Sequence, residues 1–401
     1  MHNKKWALGL VIGSLLLAGC GANSIDQTST QDPSEQVAVE QNQGQEDAAA
    51  AEEKGDPQDP TAGTEEPPSS GDQGLPEGSS EEKEVQSTDE PAESGQLDID
   101  LQAIQPNELG EVMVIMYHGL TKKNTTYSRT PESFQADLEE LYADGFRPVS
   151  FESYLSGNFD VAPGMTPFVL TFDDGNKSNF NVWEENGEIV IDPKSAVGIM
   201  EAFSADHPDF DPQASFFLNG GTPFGQADYL DWKLQFLHDN GYGIGNHSWG
   251  HDKLLDLDVD QIQKSLGRNV NALEDRVAGL TVDTLALPFG ERPKDEARYN
   301  AVTSGTYDGR TYTHKGILLV GWKPDVSPFD TRYDPLSIMR AQSGDGKDQL
   351  RRWLDDYKER PYKKFISDGD PNVVTIPESK LEKLDMDQVG DRQVITYVPE
   401  K

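Results

Sequence analysis

From residue 107 onward the chain alternates short apolar runs with longer amphipathic stretches. The runs at 112–117 (VMVIMY), 167–172 (PFVLTF), 214–218 (ASFFL), 284–287 (TLAL) and 316–321 (GILLVG) are mostly continuous, and a weaker one, 243–245, sits inside GYGIG. Unbroken apolar runs of this length suit strands covered on both faces. Between them, residues 131–143, 228–239 and 259–277 carry helical spacing, the first of them behind Thr130 as an N-cap. Strands that alternate with helices predict a parallel α/β architecture, with active groups at the C-terminal ends of the strands. Residues 181–211 read as an insertion: Asn186-Gly187 marks a hairpin turn, and a short helix follows. A further helix is expected over 348–358, and roughly the final thirty residues show no clear period.

The N-terminal quarter has a different pattern. It opens MHNKKWALGLVIGSLLLAGC, a basic start followed by an apolar run too short to serve as a permanent membrane span. The ending Leu17-Ala18-Gly19-Cys20 resembles a bacterial lipoprotein signal, cut before a cysteine that then carries lipid. Cys20 is the only cysteine, so no intramolecular disulfide forms and the core has to stand alone. Residues 21–105 hold 22 acidic residues, two lysines and no aromatic residue. Such a segment buries too little apolar surface to offset its ordering entropy, and reads as a disordered tether with a coil span of roughly 50 Å. It carries more than half of the net charge of −37. No basic patch or stripe is visible, which argues against nucleic acid as a partner. The expected organisation is a signal over 1–20, an acidic linker over 21–105 and a folded domain over 106–401, of a size normal for an α/β barrel.

Chemistry-bearing residues gather at the ends of the presumed strands. "FVLTFDDGN" ends on Asp173 and Asp174, "VIMYHG" on His118, and "GNHSWGH" supplies His247 and His251. An Asp-Gly step after an apolar run is a common turn, and a lone His-x-x-x-His pair is a weak metal signal. Four-residue spacing does put both imidazoles on one face of a helical turn. With an aspartate at another strand end, they make a candidate two-histidine, one-carboxylate site with open positions.

TFDDG followed by NHSWGH resembles the first two motifs of the polysaccharide deacetylase family, the NodB homology domain. "ASFFLNGG" and "ALPFGERP" stand where that family has its next strand and third motif, and the likeness covers about residues 112–328. The resemblance implies a distorted (β/α) barrel that hydrolyses acetyl groups with a divalent metal. It makes Asp174, His247 and His251 the metal ligands and Asp173 the general base. It also points the Phe289 backbone N–H at the tetrahedral oxyanion. Zinc is the default ion for such donors, and cobalt, nickel, manganese or iron are compatible with them. The family's late Leu-x-His motif, which supplies the general acid, is missing, and "SIMRAQ" occupies that region. Met116-Tyr117-His118 has the same character near the start, as in the exported poly-N-acetylglucosamine deacetylases, a circularly permuted branch. His118 is therefore the expected acid, with His314 in reserve. The third-motif arginine that orients the base is also absent, because Ala286 stands there; Arg292, Arg310 and Arg340 are candidates to replace it. Trp249 and Trp322 are expected either to stack on sugar or to sit in the core.

These readings predict an extracytoplasmic hydrolase, attached to the cell membrane through lipid on Cys20. It would deacetylate N-acetylglucosamine polymers, either peptidoglycan or an exported glucosamine polymer. The alternatives are an O-acetyl esterase acting on xylan-type sugars and a catalytically impaired carbohydrate-binding lipoprotein.

Overall fold

The computed structural model describes residues 99–400; the signal-like segment, Cys20 and the tether up to residue 98 lie outside the described residues. Of the stretch assigned to the tether, the last few residues are described. Asp100 caps a one-turn helix, Leu101–Ile104, by accepting from the N–H groups of Gln102 and Ala103. No helix among the described residues is long and apolar enough to cross a membrane.

Eight parallel strands form the main sheet: β1 (Met113–Tyr117), β2 (Phe146–Pro148), β3 (Thr166–Phe172), β4 (Ser215–Leu218), β5 (Gly243–Asn246), β6 (Thr284–Ala286), β7 (Gly316–Leu318) and β8 (Ala341–Gln342). Their order is β7-β6-β5-β4-β3-β1-β8, with β2 beside the start of β3. The sheet curls back on itself near β8: Ile338 bridges Leu318 of β7, while Ala341 pairs with Ile115 of β1. The result is a distorted (β/α) barrel, and because every strand runs the same way, all C-terminal ends share one rim.

Side-chain parity decides what that rim presents, because neighbouring residues of a strand face opposite sides. Met113, Ile115 and Tyr117 of β1, Phe168, Leu170 and Phe172 of β3, and Phe216 and Leu218 of β4 pack in the large cluster under the helices. Val114, Val169, Phe217, Ala286, Leu318 and Ile338 belong to a second cluster, on the barrel's inner side. Continuing each strand by its own parity aims position 118 after β1, 173 after β3 and 247 after β5 inward. The outer layer is fixed by aromatic contacts such as Phe172 stacked on Phe216 at 5.1 Å and Tyr117 edge-on to Phe134 at 5.0 Å.

The expected helices form as Pro131–Ala143, Leu230–Asp239 and Val259–Glu274. Thr130 does cap the first, accepting from the Ser133 N–H, and a capping box of Asp258 and Gln261 starts the third. The third helix stops at Glu274, three residues before its expected end. The insertion is a hairpin, Val182–Glu185 with Glu188–Ile191, followed by the helix Ala196–Asp206. Asn186 and Gly187 both have positive φ (55° and 84°), which a type I′ turn demands. Past the barrel, Val373–Pro377 pairs in parallel with Gln393–Tyr397 and joins the inner cluster through Val374 and Ile376.

Candidate metal centre and catalytic pair

Asp173 is almost fully buried and points inward, as its parity requires. Arg340, also fully buried, grips it with two parallel bonds: Nη1 donates to Oδ1 at 2.8 Å and Nη2 to Oδ2 at 2.7 Å. The same guanidinium donates from Nε to the Leu319 carbonyl and from Nη1 to the Thr171 hydroxyl. Burial alone would raise the Asp173 pKa; the Arg340 charge and the neighbouring histidines outweigh it and hold the carboxyl well below the usual range. The absent third-motif arginine is therefore replaced from within "SIMRAQ", where Ile338 and Arg340 share the inward parity. Ala286 has no side chain that could do this. Arg292 is engaged elsewhere, donating to the Leu336 carbonyl and the Ser337 hydroxyl. Arg310 pairs with Glu274 and Asp275.

Asp174 has the opposite strand parity, but a positive φ of 75° turns it back to the rim, and Gly175 (φ 63°) continues the bend. Its Oδ1 lies 3.4 Å from His247 Nε2 and 3.6 Å from His251 Nε2. The three ligand atoms fall within 4.8 Å of one another. A tetrahedral ion with bonds of about 2.1 Å spaces its ligands about 3.4 Å apart, so this trio fits a zinc-like ion. His247 Nδ1–H donates to the Ala286 carbonyl at 2.8 Å, which leaves Nε2 as the free lone pair. That Nε2 is buried without a hydrogen-bond partner, as expected of a nitrogen reserved for a cation. His251 sits at φ 55°, with its ring edge-on to Phe289 at 4.6 Å.

His118 follows β1, the immediate neighbour of β3, and the Asp173 N–H donates to the Tyr117 carbonyl just before it. Burial pulls the His118 pKa below the ordinary histidine value, while Asp173 and Asp174 act in the other direction. Its carbonyl accepts from Asn179 Nδ2 at 2.7 Å, and its ring lies 5.4 Å from that of Tyr127. Phe289 stands on the loop after β6 with φ 60° and an exposed side chain. The structure thus brings His118, Asp173, Asp174, His247, His251 and Phe289 to one rim. It leaves His314 out: that imidazole is fully buried, donates from Nδ1 to the Val302 carbonyl and meets Asn246 Nδ2 through Nε2. Burial lowers its pKa to about 4, so it is a neutral acceptor in the core. Trp322 is exposed and Trp249 half-buried, so neither is a core tryptophan.

An aspartate clamped by an arginine, beside a two-histidine, one-carboxylate trio at the C-terminal rim of a (β/α) barrel, forms a candidate hydrolytic centre with a donor set suited to a divalent ion. Residues 208–305 match the family model described as polysaccharide deacetylase, a segment that holds His247, His251 and Phe289. Similar solved structures include a Bacillus anthracis protein described as a polysaccharide deacetylase, at 17% identity over 58% of this chain and 65% of that one, with a TM-score of 0.44. Others are the Streptococcus pyogenes deacetylase PplD in complex with acetate (16% identity, 59% and 93% covered, TM-score 0.44) and IcaB from Ammonifex degensii (16%, 61% and 97%, 0.44). The chain thus spans a little under two thirds of the first of these. No curated protein matches it.

Proposed function

We propose that this chain removes acetyl groups from an N-acetylglucosamine-containing polysaccharide by metal-assisted amide hydrolysis. The observation that carries this reading is the juxtaposition of Asp173, held by Arg340, with the ligand atoms of Asp174, His247 and His251. A divalent ion held by those three would supply Lewis acidity toward the acetyl carbonyl and toward water, which an unreactive amide needs near neutral pH. Asp173 takes the proton of the attacking water, its lone pairs aimed by the Arg340 fork. The Phe289 N–H donates to the oxyanion that forms as oxygen adds to the carbonyl carbon. When the C–N bond breaks, the nitrogen takes a proton from His118 in its protonated form, which the charges of Asp173 and Asp174 favour. Asp173 then gives the water's proton to solvent and His118 takes one up, which restores both groups. Acetate and a free amine leave.

Acetate release from chitooligosaccharides, peptidoglycan and acetylated xylan tests this. Release from an N-acetylated glycan, removed by Asp173→Asn, is the expected result. Release from xylan alone would replace the amide reading by the ester one. A folded, metal-loaded chain that releases nothing would favour the binding-protein reading. Arg340 on Asp173 makes the contact that Ala286 cannot, which weakens that last reading.

The proposal includes a location and a descent. Lipid on Cys20 would anchor the enzyme outside the cytoplasm, with the acidic tether spanning the distance to its polymer. Partition of the full-length chain into a detergent phase, abolished by Cys20→Ala, is expected; partition unchanged by that substitution would remove the anchor. A first-strand acid histidine is the order of the permuted branch, and it stands or falls with His118.

A further inference from the structure

Trp249 lies between the two ligand histidines in sequence, yet its indole turns away toward the helix Val259–Glu274 and lines a cleft of about 250 Å³. Lys264 and Arg268, one turn apart on that helix, line the same cleft. The Arg268 guanidinium rests 3.6 Å from the Trp249 ring centroid, which holds the long side chain in place at little entropic cost. The cleft also holds one carboxylate, Asp252, which makes no ion pair with either cation and leaves the cleft one positive charge in excess. Its Oδ2 accepts from the Ser265 hydroxyl and from the Gly250 N–H. Nearby Lys253 and Arg276 are each paired with a carboxylate, Glu291 and Asp231; among the described residues Lys264 and Arg268 have none. Two unpaired cations with an aromatic wall, in a chain of net charge −37, form a receptor for an oxyanion.

We propose that the Trp249–Arg268–Lys264 cleft is a subsite for a carboxylate carried on the glycan, so that the substrate is an anionic N-acetylated polymer and not a neutral one. This rests on the deacetylase reading and names its substrate class. The guanidinium fork takes the carboxylate through two N–H donors, the Lys264 ammonium adds charge, and the indole under Arg268 holds the guanidinium in position. No bond is made or broken there.

The test compares the parent with Arg268→Ala, Lys264→Ala and the double variant on three substrates. These are a peptidoglycan fragment with free carboxylates, the same fragment with its carboxylates amidated, and a neutral chitooligosaccharide. For the free-carboxylate fragment, the double variant is expected to raise KM by about tenfold or more with kcat held, since each lost charged hydrogen bond costs that order. The amidated and neutral substrates are expected to keep the parent KM within about twofold, a margin of about 0.4 kcal/mol. An equal loss on all three, or no loss on the free-carboxylate fragment, overturns the subsite. Acetate from none of them with the parent would count against the deacetylase reading instead. The cleft is then read by calorimetric binding of the free-carboxylate fragment to Asp173→Asn, where the same cation dependence supports it and its absence overturns it.

Discussion

Arg340→Met is expected to cost the chain both its activity and several kcal/mol of stability. Arg340 and Asp173 are both buried and make a two-bond ion pair. Removing one partner of such a pair leaves an uncompensated charge in a dry site, at a cost of about 3–5 kcal/mol. The substitution also frees the Leu319 carbonyl and the Thr171 hydroxyl from the donors they now accept from. Arg340→Lys is expected to be nearly as harmful, because an ammonium has no planar fork for both carboxylate oxygens. The informative comparison is Asp173→Asn combined with Arg340→Met. With both charges gone, much of the lost stability should return while acetate release stays absent, a coupling that chemical denaturation can measure. Additive stability losses would mean that the pair is not the unit described here.

His118→Ala is expected to separate two leaving groups. On an N-acetyl substrate the departing nitrogen must be protonated, and loss of the acid should lower kcat by about 10²–10⁴. An aryl acetate expels a phenolate that needs no proton, so the same variant should retain most of its rate on that ester. Such a split assigns His118 to the leaving-group side of the reaction. An equal loss on both substrates would place its role in the fold or in the neighbouring carboxylates. Full activity on the amide would remove His118 from the mechanism and the permuted descent with it.

Much of the barrel is readable from the chain because its signals are local. Five largely apolar runs and a weaker one inside GYGIG gave six of the eight sheet strands, and Asn186-Gly187 gave the hairpin through its demand for positive φ. The other two strands are short and weakly apolar: Phe146–Pro148 contains a proline, and Ala341–Gln342 is two residues long. In the same way, TFDDG and NHSWGH carry their chemistry in contiguous residues, so all six rim residues follow from motif or strand end. Arg340, the seventh member of the site, does not. It meets Asp173 across 167 residues, from a segment with no period of its own, and only the closure of the barrel selects it over Arg292 and Arg310. The helix at Leu101–Ile104 was hidden for a related reason, since one capped turn is too short to stand out from an acidic tether. His314 shows the opposite failure. A histidine near a strand end looks chemical in sequence, but the three-dimensional neighbourhood, Val302 and Asn246, makes it a buried structural acceptor.

In the proposed function, Asp174, His247 and His251 together hold the ion on which hydrolysis depends. The most direct measurement is acetate release from an N-acetylated glycan after the chain has been stripped by a chelator and then given back Zn²⁺ or Co²⁺. Release should fall to background on stripping and return on addition, and Asp174→Asn or His247→Ala should show no return. A stripped chain that keeps its full rate, or a His247→Ala variant that recovers like the parent, would contradict the claim.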